Sequence, residues 1–282
     1  MKKTLGAFNI QDNDLSIYVS SCDKYSWLWP SFFYYFNKFW HDCPYKLYLG
    51  SETMKFDDKN VTTLNAGRDI PWGQMTRSNL EKIDTKYVLV MLDDFLLENY
   101  VDSKLIDAIL HMTIQMNANH VRLNELGVKK KLKVHEIISS FTAVKSSNNI
   151  TISAYIVSLQ AAIWNRKFLL SILRDEESPW EFEIKGSERV QNVEKFYYLD
   201  KTPLFYHYGG IVNQGMMERK YARVLYRKHL LAERRNVMSR RDQLRKHINY
   251  SRNNLNRHLC SLIPPKIKQY VKNVKVQLRI DK

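Results

Sequence analysis

Short apolar strands alternate with segments of helical pattern along this chain, and the alternation limits its fold more than any other feature. The predicted strands are rich in Val, Ile, Leu and Tyr and cover residues 15–23, 45–52, 60–67, 87–92, 118–125 and 154–164. Helices are predicted after Pro30, over residues 71–83, 102–116 and 165–174, and from near Pro179. Strands of this composition that alternate with helices are typical of an α/β fold with a mostly parallel sheet.

The length and the apolar content allow a large core. The 282 residues are 44% hydrophobic and 12% aromatic, which suits one large domain or a domain with an appendage. No apolar run reaches the roughly 20 residues that cross a bilayer, and the polar residues 11–14 interrupt the N-terminus too early for a secretory signal. Cys22, Cys43 and Cys260 are widely spaced and form no metal-site pattern. We therefore predict a cytoplasmic protein with reduced thiols.

The positive charge is concentrated at the C-terminal end. Residues 214–282 hold 19 of the 44 Lys and Arg residues and 4 of the 29 Asp and Glu residues, so residues 1–213 carry no net charge and the tail carries the whole +15. We predict a body over residues 1–213 and a basic, largely helical tail over residues 214–282. A basic tail favours an anionic partner, either nucleic acid or the surface of an anionic membrane.

Two adjacent carboxylates follow the most apolar predicted strand. The run Tyr87–Leu92 ends on Asp93 and Asp94. In parallel α/β sheets, ligands bind outside the carboxyl ends of the strands, and paired carboxylates there suit Mg²⁺ or Mn²⁺. A solvated Asp-Asp turn is the alternative. Neighbouring residues of an extended chain point to opposite faces, so both can ligate one ion directly only if the strand has already turned.

A second acidic pair lies in the stretch "SPWEFE", residues 178–183. Glu181 or Glu183 could act as a general base if its carboxyl points into a cleft. The alternative is an ordinary helix start, because acidic residues in a first turn complement the helix dipole.

A histidine among aromatic residues is the third candidate. His207 stands in "FYHYGG" and could complete a metal site or contact a phosphate. A hydrogen-bonded structural role is the alternative, because no second imidazole lies at metal-site spacing.

Taken together, four stretches resemble the bacterial GT-A-type glycosyltransferases found with lipopolysaccharide and capsule synthesis genes. They are "SIYVSSCDKY", "EKIDTKYVLVMLDDFLL", "SLQAAIWNRKFLLSILRDEESPWEFE" and "FYHYGGIVNQG", and they span roughly residues 15 to 215. The resemblance implies a GT-A-like, Rossmann-like sheet flanked by helices, with the basic helical extension appended. It also implies that the body binds a nucleotide-diphosphate sugar.

The resemblance also implies roles for individual residues. Enzymes of this kind carry a short acidic DxD-type motif that holds Mn²⁺ or Mg²⁺ on the donor diphosphate, and Asp93-Asp94 matches it as Asp-Asp. Glu181 matches the position of the catalytic carboxylate of inverting members, with Glu183 as the second choice. Asp23, at the end of the first strand, is the candidate contact for the base or ribose, and Arg77 is the candidate contact for the diphosphate. Solvated surface charge is the alternative for each of them.

The resemblance therefore implies a metal-dependent hexosyl- or N-acetylhexosaminyl-transferase that acts on a saccharide or a lipid-linked acceptor, with inversion, in bacterial surface polysaccharide synthesis. The basic tail would then lie on the inner face of the membrane. A solvated basic helix packed on the body and an oligomer contact are the alternatives for the tail. One alternative is a nucleic-acid-binding protein, which the absence of a recognisable nucleic-acid-binding motif disfavours. The other is a non-catalytic sugar-binding relative.

Overall fold

The computed structural model describes residues 14–123, 141–144, 155–199, 210–213, 215–231, 236–245 and 248. The predicted alternation of strands and helices is confirmed. The strands are β1 (Leu15–Ser20), β2 (Lys46–Ser51), β3 (Val61–Asn65), β4 (Tyr87–Leu92), β5 (His120–Arg122), β6 (Phe141–Ala143), β7 (Ala162–Asn165), β8 (Phe196–Leu199), β9 (Val212–Asn213) and β10 (Met216–Met217). The helices are α1 (Trp29–Phe39), α2 (Trp72–Glu81), α3 (Ser103–Gln115), α4 (Arg166–Ile172), α5 (Pro179–Arg189) and α6 (Arg219–Arg227), and a 3₁₀ helix covers Asp23–Leu28.

Eight strands form one sheet in the order β3-β2-β1-β4-β7-β5-β8-β6. The first four are mutually parallel, and β5 is parallel to β8. Strand β7 runs antiparallel to both of its neighbours, and β6 is antiparallel to β8. The predicted α/β fold with a mostly parallel sheet is therefore confirmed, and β7 is the central exception to its polarity.

Helices cover both faces of the sheet, because the central strands are apolar on both faces. Along β4, Tyr87, Leu89 and Met91 pack into one core with α1, α3 and α6. Val88 and Val90 point to the opposite face and pack into a second core with residues of α2, α4 and α5. Such two-sided burial is what a near-continuous apolar run in a strand indicates.

Several helix boundaries follow local sequence signals. Asp102 caps α3 by accepting a hydrogen bond from the Lys104 amide, and Asn165 caps α4 by accepting one from the Phe168 amide. Each side-chain oxygen satisfies a backbone N–H that the first turn of a helix leaves without a partner. These caps fix where the helices begin relative to the strands before them.

The strand predicted over residues 154–164 is wrong in its first part. Only Ala162–Asn165 pairs in the sheet. The amides of Val157 and Leu159 donate instead to the side chains of Ser187 and Glu183 on α5, at 3.0 and 2.8 Å. Because those amides are used by α5, they are not available to a neighbouring strand, and the segment stays irregular.

The basic helix α6 packs on the body. Its Ala222 and Leu225 are buried in the same core as α1 and α3. The Tyr221 hydroxyl donates to Glu98 at 2.7 Å, and the Ser31 hydroxyl donates to the carbonyl of Leu230 at 2.9 Å. The domain boundary after residue 213 stays a prediction, and most of the tail beyond residue 245 lies outside the described residues.

Candidate active site

The site lies at one edge of the sheet, where the parallel strands β1 and β4 both end. Ser20 of β1 pairs with Leu92 of β4, so the residues that follow each strand are neighbours. Strand β7 is antiparallel to β4 and pairs its Ala162 with Val90. The chain therefore enters β7 at the edge where β4 leaves, and the segment before β7 lies at the same edge as Asp93 and Asp94.

Asp93 is held by the loop that follows β1. Its side chain is buried, and its carboxylate accepts a hydrogen bond from the Ser21 hydroxyl. That hydroxyl accepts in turn from the indole Nε1 of Trp29 at 2.7 Å. Burial raises the pKa of Asp93 to about 8, and the neighbouring charge of Asp94 adds to the rise. The fold thus fixes the orientation of this carboxyl in a buried position, where its ionisation costs free energy.

Asp94 is enclosed by the chain at residues 210–211. The Ile211 amide donates to the Asp94 carbonyl at 2.8 Å. A Cβ atom added to Gly210 would lie 2.0 Å from the Asp94 Oδ2, so only glycine fits against this carboxylate. Burial raises the pKa of Asp94 to about 7.

The chain has already turned where the two aspartates lie. The Phe95 amide donates to the carbonyl of Leu92 at 3.2 Å, which closes a turn over Asp93 and Asp94. A turn removes the constraint that would send their side chains to opposite faces of an extended strand. Both carboxyls can therefore face one ligand.

The donor set at this edge suits a divalent cation that is shared with a substrate. Within the described residues, Asp93 and Asp94 form no ion pair with a Lys, Arg or His side chain. The same part of the chain contains no cluster of three or more His, Cys, Asp or Glu side chains that could hold a metal ion. Mg²⁺ commonly takes only one or two carboxylates and completes its shell with water and phosphate oxygens. His207, the predicted third ligand, lies outside the described residues.

Glu183 projects from α5 toward the segment before β7. Its Oε1 accepts the hydrogen bond from the Leu159 amide at 2.8 Å. Burial raises the pKa of Glu183, although the Leu159 amide and the nearby charge of Arg122 act in the opposite direction. A carboxylate with a raised pKa is a stronger proton acceptor once it is ionised.

Glu181 has different surroundings from those that a base requires. It completes a capping box, in which its carboxylate accepts from the Ser178 amide at 3.0 Å while its own amide donates to the Ser178 hydroxyl. It also pairs with Lys185 at 3.0 Å on the surface. The hydrogen bond from the Ser178 amide, together with Lys185, lowers the pKa of Glu181 to about 2. The helix-start alternative therefore accounts for this side chain.

Asp23 joins two strand ends. Its carboxylate accepts from the amides of Glu52, Thr53 and Met54, which follow β2, at 3.2, 3.1 and 3.1 Å. The Glu52 carboxylate accepts in return from the Asp23 amide. This reciprocal pair holds the 3₁₀ helix after β1 against the loop after β2, next to Asp93.

The Arg77 guanidinium donates three hydrogen bonds to α4 and the residues after it. Its Nε pairs with Asp175 at 2.6 Å. Its Nη1 and Nη2 donate to the carbonyls of Leu170 and Leu173 at 3.0 and 2.8 Å. These contacts tie α2 to α4, and the contact of Arg77 with a diphosphate stays a prediction.

Sequence reasoning missed four residues of the site. Ser21 and Trp29 orient Asp93, Gly210 accommodates Asp94, and Arg122 lies near Glu183. The polar "SSCD" after β1 and the glycine pair at residues 209–210 are signals that could have been used. Arg122, at the end of a short buried strand, gave no signal of its own.

Comparisons with known proteins gave distant structural likenesses. No protein-family model and no curated protein matched the chain. Among solved structures, a fragment of S. aureus TarS (residues 1–349) has a TM-score of 0.46 and 12% identity, over 69% of this chain and 60% of that one. The bifunctional IspDF from Campylobacter jejuni has a TM-score of 0.41 and 14% identity, over 69% of this chain and 52% of that one.

The galactosyltransferase LgtC, in complex with donor and acceptor sugar analogues, covers more of both chains. It has a TM-score of 0.34 and 10% identity, over 80% of this chain and 84% of LgtC. This chain thus spans about half to three fifths of the TarS fragment and IspDF. At these TM-scores the likenesses establish no activity for it.

Proposed function

We propose that this chain is a metal-dependent glycosyltransferase that uses a nucleotide-diphosphate sugar. It would move a hexosyl or N-acetylhexosaminyl group to a hydroxyl of a saccharide or lipid-linked acceptor, with inversion, in bacterial surface polysaccharide synthesis. The observation that carries the proposal is the pair Asp93 and Asp94. Asp93 is buried and Asp94 is partly buried, and neither has a cationic side-chain partner in the described part of the chain. They lie at the sheet edge where ligands of α/β proteins bind.

Asp93 and Asp94 are the residues that would hold Mn²⁺ or Mg²⁺. When bound, such an ion neutralises the charge that develops on the leaving diphosphate. The chain itself supplies orientation: Ser21 and Trp29 fix the Asp93 carboxyl, and Gly210 lets the backbone approach Asp94 closely. The reciprocal contact between Asp23 and Glu52 holds the adjacent loops in place, which gives Asp23 a positioning role at the donor.

Glu183 is the residue that we assign as the base. Its partly buried carboxyl with a raised pKa can take the proton of the acceptor hydroxyl as that oxygen attacks the anomeric carbon. If the attack displaces the diphosphate directly, the configuration at the anomeric carbon inverts. Glu181 is the less suitable of the two, because its carboxylate is committed to the capping box and to Lys185.

The test is a thermal-shift screen of nucleoside diphosphates and nucleotide sugars, with and without Mn²⁺. A ligand that binds only the folded state raises the melting temperature by mass action. We expect a shift with one nucleotide that requires Mn²⁺, and we expect Asp93→Asn and Asp94→Asn each to abolish it. Sugar transfer should fall about 100-fold or more in both variants, as when a group that stabilises developing charge is removed.

Three results would contradict the proposal. Full transfer activity in both aspartate variants would remove the metal role. Binding of a nucleotide sugar without transfer to any acceptor extract would identify a non-catalytic relative. No nucleotide binding, together with salt-sensitive binding of duplex DNA or RNA, would identify a nucleic-acid-binding protein.

A further inference from the structure

Trp180 is the most exposed large hydrophobic side chain in the described part of the chain. It is 73% exposed, whereas Trp29, Trp40 and Trp164 are exposed by 2% or less. An indole usually contributes a large buried apolar area to a fold. Most of this one stays exposed, so its surface is open to a partner outside the described structure.

Trp180 lies in the first turn of α5, three residues before Glu183. Residues three apart are neighbours on a helix surface. Ser187 lies one turn beyond Glu183 on the same face of the helix. It is buried, and its hydroxyl accepts a hydrogen bond from the Val157 amide at 3.0 Å. The segment before β7 therefore covers the later turn of this face and leaves the first turn open. An exposed aromatic ring thus lies about one helical turn from the candidate base.

The ring's surroundings suit a sugar better than an apolar partner. The pyranose ring has an apolar C–H face that can pack on an aromatic ring, and its hydroxyls need polar partners. The same two turns of α5 expose the charged side chains of Glu181 and Lys185, which can accept from and donate to hydroxyls. Ile184, four residues on and 52% exposed, extends the apolar surface beside the indole.

We propose that Trp180 is the stacking platform for the acceptor sugar, which it holds so that one hydroxyl reaches Glu183. The assignment to the acceptor rests on the proposed function, because the base must contact the acceptor hydroxyl whereas the donor diphosphate belongs at Asp93 and Asp94. Trp180 is therefore a specificity-determining residue for the acceptor and takes no part in donor binding.

Saturation-transfer NMR on the full-length chain tests this directly. The probes are the methyl β-glycosides of glucose, galactose and N-acetylglucosamine, whose methyl aglycones are too small to stack by themselves. Trp180→Ala removes the ring, and Trp180→Phe keeps a smaller one. Tyr100→Ala is the matched control, because Tyr100 is another exposed aromatic residue, at 68%, whose ring packs edge-on against Phe39.

We expect at least one probe to receive saturation on its ring C–H protons from the wild type, from Trp180→Phe and from Tyr100→Ala. Trp180→Ala should bind that probe about tenfold more weakly, the size of effect that one aromatic contact supports. Equal binding by Trp180→Ala and the wild type would overturn the proposal, as would a wild type that binds none of the three probes.

The nucleotide screen on the same variants separates this proposal from the proposed function. Trp180→Ala should keep the Mn²⁺-dependent nucleotide shift of the wild type, and loss of that shift together with sugar binding would overturn an acceptor-specific role. If the wild type shows no nucleotide shift, the transferase assignment and the acceptor role fail together, even where a glycoside binds at Trp180. If the nucleotide binds but Trp180→Ala leaves glycoside binding unchanged, only the acceptor platform fails.

Discussion

At the scale of single residues, Glu181 and Glu183 show how much two positions along a helix can change the chemistry of a carboxyl. Glu181 faces solvent and caps its own helix, with a pKa lowered to about 2. Glu183 faces the segment before β7, where burial raises its pKa. The sequence presents both as acidic residues after a tryptophan, and only the packing of α5 separates them.

Glu183→Gln and Glu181→Gln form a matched pair that tests this separation. We expect Glu183→Gln to lower the transfer rate about 10²–10⁴-fold, the range for loss of a general base. Glu181→Gln should change the rate little. Because Glu183 must be ionised to accept a proton and its pKa is raised, wild-type activity should fall as the pH drops through that raised pKa. Initial rates of both variants over pH 5 to 9 provide the measurement, and a larger loss in Glu181→Gln would reverse the assignment.

His120 makes a second residue-scale prediction, about stability. It is fully buried, with its ring 4.2 Å from that of Trp164 and 5.6 Å from that of Phe196. Burial, with the nearby charge of Arg122, lowers its pKa well below the usual 6.5. The folded state therefore keeps His120 neutral, whereas the unfolded state takes up a proton below about pH 6.5, so stability is lost as the pH falls through that value.

We expect His120→Phe to remove this loss, because a phenyl ring can pack between the same neighbours without a proton to gain. Between pH 8 and pH 5 the wild type should lose about 2 kcal/mol more unfolding free energy than the variant does. Urea unfolding at both pH values measures the difference. If the unfolding free energies of the wild type and His120→Phe differ by the same amount at both pH values, then His120 does not cause the acid sensitivity.

Among the residues of the candidate site, those next to a strong local signal could be predicted. Asp93 and Asp94 follow a fully apolar strand, so their place at a sheet edge could be predicted from order along the chain. The stretches around Ser21 and Gly210 carry signals that could have been used, but the partner of each residue could not be predicted, because it is distant in sequence and near only in the folded sheet. Arg122 gave no signal of its own, and its neighbour Glu183 is likewise distant in sequence. The hydrogen bonds from Arg77 to backbone carbonyls in α4 and just after it could not be predicted for the same reason.

At the scale of elements, the contact between α2 and the segment before α5 depends on one glycine. The Gly73 amide donates to the Glu177 carbonyl at 3.0 Å, and a Cβ atom at Gly73 would lie 2.0 Å from the carbonyl oxygen of Arg174. Gly186, inside α5, is different, because a Cβ there would lie 3.5 Å from Phe182 and from Val157. The first glycine is required by close approach of two backbones, and the second is not.

The two glycines predict opposite effects of the same substitution. Gly73→Ala should lower the unfolding free energy by about 1–3 kcal/mol, as overpacking does. Gly186→Ala should raise it by about 0.5–1 kcal/mol, because alanine is the better helix former and its methyl group finds ordinary contacts. Chemical denaturation of both variants checks the prediction, and equal stability of Gly73→Ala and the wild type would mean that the two segments can separate at little cost.

The strand prediction succeeded where the sheet satisfies the backbone and failed where side chains do so. Strands β1, β2 and β4 could be predicted from their apolar residues and β3 from its β-branched residues, and each of the four pairs with its neighbours over most of its length. The apolar run before β7 looks the same in sequence. Its amides are taken by Ser187 and Glu183, and no local pattern shows that these residues, on a later helix, lie alongside.

At the scale of the whole molecule, part of the positive charge of the C-terminal segment is carried by a helix that packs on the body. Helix α6 buries Ala222 and Leu225 and leaves Arg223 and Arg227 exposed. Its apolar face is therefore not available for insertion into lipid. Its basic face is available for contact with the charged surface of a membrane. No described helix is both long and apolar enough to span a membrane. We propose that the protein meets an anionic membrane through this basic face.

Arg223→Gln combined with Arg227→Gln should weaken binding to vesicles that contain phosphatidylserine about 30-fold, since each basic residue near such a surface contributes about 1 kcal/mol. Lys55→Gln combined with Lys59→Gln removes the same charge from exposed positions between β2 and β3 and is the control. Co-sedimentation with vesicles measures both. Equal weakening by the two pairs would show that net charge, and not α6, drives the association.

The reversed direction of β7 has a consequence for how the chain is made. The four parallel strands leave the ribosome first, and β4 then has a free side until β7 arrives to pair Ala162 with Val90 and Asn165 with Tyr87. An uncovered strand that is apolar on both faces is a template for pairing with another chain, and contacts between distant parts of a chain form slowly. The interval between synthesis of β4 and synthesis of β7 is therefore when this protein is most exposed to aggregation, and a chaperone that shields β4 during that interval would raise its yield.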